Sequence, residues 1–152
     1  MKSLARPEDG EGLRRRLRTL RPDGAARWGR MSAHQMVCHV GDCLHMALGE
    51  KVVRDRSTPL QRTVVKWVAL YGPRPWPAGI RTTVEVDQDG EGTRPVDFAA
   101  DLERAEALLL RLGPRAAGLE GRPHPLFGAL STSEWLRWGY LHTDHHLRQF
   151  GV

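Results

Sequence analysis

The stretch STSEWLRWGYLHTDHHLRQF, from Ser131 to Phe150, constrains the fold of this chain more than any other. Ser131 and Glu134 form an S-x-x-E capping box and Gly151 supplies a stop, so the spacing predicts one helix with both ends marked. His142 and His146 are four apart inside it. At about 100° per residue they fall within roughly 40° of each other, with Trp135, Trp138, Gly139 and Gln149 on the same side. Leu136, Tyr140, Leu147 and Phe150 cover another side, which leaves a narrow polar arc of Arg137, Asp144 and Arg148. A helix with so little polar surface must be covered by protein over most of its circumference. A buried pair of imidazoles then needs hydrogen-bond partners or a metal ion.

The rest of the chain supplies elements to cover that helix. Leu13, Leu17 and Leu20 predict a first helix from about Glu8 to Leu20, stopped by Arg21-Pro22-Asp23-Gly24. Ser32 caps a second helix that runs to Gly49, with Met36, Val40, Cys43 and Ala47 as an apolar stripe widened by Val37, Leu44 and Leu48. His39 lies on the flank of that stripe, whereas His34 and His45 fall elsewhere and read as surface or rim histidines. Ser57-Thr58-Pro59 opens a short third helix through Val64, Val65, Trp67, Val68, Leu70 and Tyr71. From Gly72 to Arg94, Pro73, Pro75, Pro77, Gly79, Gly90 and Gly92 exclude a long helix, and Thr82 to Val86 can at most pair briefly as a strand. This long loop either forms a rim over a pocket or crosses the end of the helices with Trp76 plugging the core. Phe98, Leu102, Ala105, Leu109 and Leu112 share one side of a fourth helix from about Pro95 to Leu112, ended by Gly113-Pro114. Pro123 to Gly128 turns the chain into the last helix.

With no glycine-rich phosphate loop after a predicted strand and no internal repeat, a nucleotide-binding α/β sheet is disfavoured. The expected fold is all-α: a four-helix bundle of the first, second, fourth and fifth helices, with a long crossover connection carrying the short extra helix. At 152 residues the chain is expected to be a single domain spanning 1–152.

Arginine, densest at Arg14, Arg15, Arg16 and Arg18, carries most of the net charge of +5. A solvated helix face explains it more simply than nucleic acid or anionic lipid, because the basic residues are not interleaved with a recognition motif. No apolar run approaches the roughly 20 residues of a membrane span, and the N-terminus lacks the apolar core of a signal peptide. Cys38 and Cys43 would point about 140° apart on one helix, which makes a mutual disulfide implausible and suits a reducing compartment. A cytoplasmic protein is expected, with a small molecule as partner and a homodimer left open.

If the second and last helices are neighbours, His39 can face His142 and His146, giving three nitrogens from two rigid elements. Three histidines with open positions form the pattern of a reactive metal site, for zinc or nickel; neutral imidazoles do not choose between them. Satisfied core histidines remain the alternative. Glutamate does not follow His142 as a zincin requires, and without a Glu-x-x-His the chain lacks the ligands of a bundle-core di-iron centre.

Met31-Ser32-Ala33-His34-Gln35-Met36-Val37-Cys38-His39-Val40-Gly41-Asp42 is similar to the first-histidine helix of the DinB-like superfamily, specifically its DUF1569 branch. Trp67 to Tyr71, Pro75-Trp76-Pro77, Phe98 to Asp101, His124-Pro125-Leu126-Phe127-Gly128 and His142 to Gly151 resemble that branch in the same order. The resemblance spans nearly everything after residue 28, and the terminal motif is its most specific part. It implies a DinB-type four-helix bundle and a divalent metal held by His39, His142 and His146. Characterised members of the wider superfamily include thiol-dependent S-transferases that use low-molecular-weight thiols such as bacillithiol or mycothiol, and glutathione is a further conceivable thiol. The branch itself has no settled activity.

Two functions follow. One is a metal-dependent transferase, in which a thiol or water of lowered pKa attacks a small electrophile. Asp42, one turn after His39, would orient a ligand or act as base, with an ordinary helix-surface aspartate as the alternative, and Gln149 would hydrogen-bond to a ligand or substrate. The other is a non-catalytic small-molecule-binding or stress-response bundle that uses Trp76, Trp135 and Trp138 to hold its ligand.

Overall fold

Helix ends are set by side chains that satisfy the free backbone N–H groups of the first turn. In the computed structural model, which describes residues 1–80 and 82–152, both long site-bearing helices begin this way. Ser32 Oγ accepts from Gln35 N at 3.1 Å and Gln35 Oε1 from Ser32 N at 2.9 Å, opening α2 at Ala33–Leu48. Ser131 and Glu134 make the same reciprocal pair at 3.2 and 2.8 Å, opening α5 at Thr132–Gln149. Gly49 and Gly151 follow with φ of 78° and 77°, the left-handed conformation that ends a helix and that only glycine adopts freely.

The other helices are α1 at Pro7–Arg18, α3 at Lys66–Tyr71 and α4 at Phe98–Arg111, the last capped by Asp97, whose Oδ1 accepts from Ala100 N at 2.8 Å. Proline occupies the start of α1, where its missing N–H costs nothing. A π turn, Gln61–Val65, leads into α3, behind a Thr58–Gln61 pair of capping hydrogen bonds. Alternation predicts a strand at most over Thr82 to Val86; the structure has a 3-10 turn at Val84–Val86 instead. A two-residue hairpin, β1 at Pro123–His124 and β2 at Gly128–Ala129, forms where the sequence predicts a turn.

The chain is mostly helical, in keeping with the expected all-α class. Each of α1 and α2 packs on both α4 and α5, and α3 packs on α5. The core runs from Leu4 to Phe150 and includes Leu13, Leu17, Met36, Leu44, Leu112, Trp135 and Leu147. Gly139 permits a close approach there, because a Cβ would lie 2.8 Å from a Leu4 methyl and 2.9 Å from one of Leu112. The α1 arginines tie helices together: Arg14 and Arg18 reach Glu106 of α4 at 3.5 and 2.7 Å, and Arg16 reaches Asp144 of α5 at 2.6 Å. No described helix is long and apolar enough to cross a membrane.

Candidate metal centre

His39 projects from α2 toward His142 and His146 on α5, because its place on the flank of the apolar stripe turns it to the seam between the two helices. Ring centroids lie 5.2 Å apart for His39 and His142, 4.7 Å for His39 and His146, and 4.7 Å for His142 and His146. One nitrogen from each falls within 4.8 Å of the others, and all three residues are buried.

Two of the rings are held from behind. His39 Nδ1 lies 2.7 Å from the carbonyl oxygen of Val86, an acceptor, so Nδ1 carries the proton and Nε2 keeps a lone pair. His146 Nδ1 lies 2.9 Å from Gln149 Oε1, and the Gln149 amide is oriented by its Nε2–H donating to Trp28 O at 2.8 Å. His146 Nε2 is therefore also free to donate a lone pair. His142 is held by packing, its ring stacked on Trp138 at 4.8 Å and 19°. Burial lowers the pKa of all three imidazoles, and for His142 and His146 neighbouring imidazoles add to it, taking both well below the free-histidine value. Neutral rings with lone pairs turned inward suit a divalent cation, and the backing hydrogen bonds are of the kind that fixes the orientation of metal-ligating histidines.

Other sequence-selected residues fall in different places. Asp42 is buried but does not line the cavity beside the histidines; its carboxylate accepts from Lys51 Nζ at 2.9 Å and from Thr93 N and Oγ1 at 2.8 and 2.7 Å. Gln149 reaches the site through His146. His145 is buried and lines the cavity but is not one of the converging three. Its ring lies between Trp28 at 5.8 Å and Trp76 at 6.1 Å. Trp135 is fully buried and is no part of the cavity wall; its Nε1–H donates to Arg122 O at 3.1 Å. His34, Cys38 and Asp101 form a second group of ligand-type atoms, but Asp101 is already bonded to His34 Nε2 at 2.8 Å and Arg104 Nη1 at 2.5 Å, and the guanidinium supplies the positive charge there.

A cavity of 1190 Å³ adjoins the three histidines. Small-molecule sites are typically about 300–1,000 Å³. Its wall is built largely from the long connection: Gly72 to Pro77, Gly79, Ile80, Thr82, Thr83 and Val86 to Asp89 all contribute, together with Val65 and Val68. Arg81, within the predicted loop, lies outside the described residues. Trp76 is half-buried, its Nε1–H donates to Ala69 O at 2.7 Å, and its ring stands 6.3 Å from His142.

The sequence did not single out Val86, Trp28 or Cys43 for the site. The first two act through backbone carbonyls, which no residue type advertises. Cys43 is legible in hindsight, one turn after His39, with Sγ 3.7 Å from His39 Nε2. Burial raises its thiol pKa, so it stands there as a neutral neighbour.

A helical chain with a buried three-histidine cluster beside a large cavity is the class that fold and site define. Residues 2–151 match the family model described as protein of unknown function, DUF1569, and the chain belongs to that family. No curated protein and no solved structure matches it.

Proposed function

We propose that this protein is a metal-dependent enzyme of the DinB-like superfamily, a thiol-dependent S-transferase acting on small electrophiles. The observation that carries the reading is the convergence of three neutral imidazoles, with Nε2 of His39 and His146 freed by the bonds their Nδ1 atoms make. The packing of α1 and α2 on both α4 and α5 supports a DinB-like four-helix bundle, with α3 in the long crossover and residues 1–152 as one domain. Two free, buried cysteines are consistent with a cytoplasmic setting.

His39, His142 and His146 would hold a zinc or nickel ion. When bound, such an ion supplies Lewis acidity that lowers the pKa of a thiol or water completing its shell. The chain's own residues do the remaining work. Val86 O and Gln149 Oε1 hold two ligands in the right tautomer, Trp138 fixes the plane of His142, and Trp76 with the prolines beside it walls the cavity against water.

Metal analysis of untagged protein tests the reading. About one divalent ion per chain is expected, lost in His142→Ala with the far-ultraviolet spectrum unchanged and retained in His145→Ala. A chain that takes up neither zinc nor nickel from excess would overturn it. Turnover is tested by consumption of a low-molecular-weight thiol with 1-chloro-2,4-dinitrobenzene. The apolar wall around Trp76 and Trp138 favours a second reading, a binding protein without turnover, which predicts ligand binding but no thiol consumption.

A further inference from the structure

One polar side chain of the cavity wall, His124, takes no part in the histidine cluster. It stands on β1, is 3% exposed, and is fixed on several sides. Its ring stacks on Phe127 at 4.6 Å and 13° and meets Trp138 nearly edge-on at 5.0 Å and 65°. Leu126 N–H donates to its Nδ1 at 3.1 Å. A nitrogen that accepts carries no proton, so the proton of the neutral ring is on Nε2. Burial pushes the pKa of the ring down to about 3, which keeps that form in place at neutral pH.

Nε2–H has no hydrogen-bond partner among the described residues, while the ring forms part of the wall of the 1190 Å³ cavity. A donor left open on the cavity wall is available to a ligand atom able to accept. The neighbouring wall, Pro125, Leu126, Phe127 and Trp138, is uncharged and mostly apolar. An ionised carboxylate would find no charged partner among these four residues, whereas a neutral carbonyl oxygen needs none. Trp138 lies between this donor and the cluster, 5.0 Å from His124 and 4.8 Å from His142 between ring centroids.

We propose that His124 is the polar anchor of the ligand site, donating Nε2–H to the carbonyl oxygen of an otherwise apolar small molecule whose body lies along the cavity wall toward the three histidines. This deepens the functional reading above and rests on it for the identity of the cavity as the substrate site. It makes His124 a specificity-determining residue: neutral carbonyl compounds are preferred over hydrocarbons of the same shape.

The test uses the whole chain and two probes that differ by the carbonyl oxygen, acetophenone and ethylbenzene, titrated by ligand-observed NMR. A single neutral hydrogen bond gives a preference for acetophenone of about threefold to tenfold. His124→Asn keeps an acceptor for Leu126 N–H but has no donor at the Nε2 position, and is expected to bind both probes alike. His124→Gln, whose amide nitrogen can reach that position, is expected to recover part of the preference. In the unsubstituted protein the His124 Nε2–H proton resonance is expected to shift on adding acetophenone and to stay in place with ethylbenzene, a readout that needs no variant to fold. No preference in the unsubstituted protein, or an equal preference in His124→Asn, overturns the proposal. Metal content measured on the same samples separates the two readings: a metal-free chain with a His124-dependent preference overturns the metal centre alone, and a metal-bound chain without one overturns this assignment alone.

Discussion

Acidification from about pH 7.5 to about pH 5 is expected to destabilise the chelator-treated protein by about 2 kcal/mol through His124 alone. Burial pushes this imidazole from 6.5 down to about 3, outweighing the charge of Asp55, which acts in the opposite direction. The unfolded chain binds a proton near pH 6.5 and the folded chain does not until near pH 3, so the stability is complete above 6.5 and is lost as the pH falls from 6.5 toward 3. At about 1.36 kcal/mol per pH unit, the interval from 6.5 to about 5 gives the 2 kcal/mol. His39, His142 and His146, displaced in the same direction by burial, add to it. Carboxylates held below their usual range, such as Asp9 and Asp101, contribute stability that is lost only below about pH 4, outside this window. Urea unfolding at the two pH values, for the unsubstituted chain and His124→Gln, measures the term. The variant is expected to lose about 2 kcal/mol of the pH dependence, and an unchanged dependence would refute the claim that the ring is shielded from water in the folded state.

Gln149→Leu keeps the volume but removes the acceptor for His146 Nδ1–H; zinc affinity by chelator competition is expected to fall about 10- to 100-fold with stability little changed, and an unchanged affinity would show that Gln149 does not position the ligand. Trp76→Ala is expected to weaken acetophenone binding while costing less stability than the roughly 3–5 kcal/mol of an emptied core tryptophan site, and a loss of that full size in urea unfolding would make the ring a core plug rather than a rim.

The helices were legible because their signals are local. Ser32 with Gln35, Ser131 with Glu134, Gly49 and Gly151 mark ends by hydrogen bonds and φ values within a few residues of each other. His39, His142 and His146 are legible by periodicity if α2 and α5 are neighbours, and the structure packs these two helices together. The segment Thr82 to Val86 is not, because its β-branched residues suit a strand but find no partner strand among the described residues; Val84–Val86 curls into a 3-10 turn whose end meets His39. The spacing of Asp42 from His39 points to the site, yet the helix turns it toward Lys51 and Thr93. His124 reads in the sequence as a turn residue because its environment is made by Phe127 and Trp138, and the contact with Trp138 exists only once the hairpin lies on α5.

The hydrogen bond from His39 Nδ1 to Val86 O joins two parts of the molecule that otherwise have different jobs. Val86 belongs to the connection that walls the cavity, and His39 to the rigid helix beneath it. With no side chain between them, the tautomer of the ring depends on where the backbone of the wall runs. A substitution that shifted the 3-10 turn would therefore remove the acceptor that keeps the proton on Nδ1, without touching any of the three histidines.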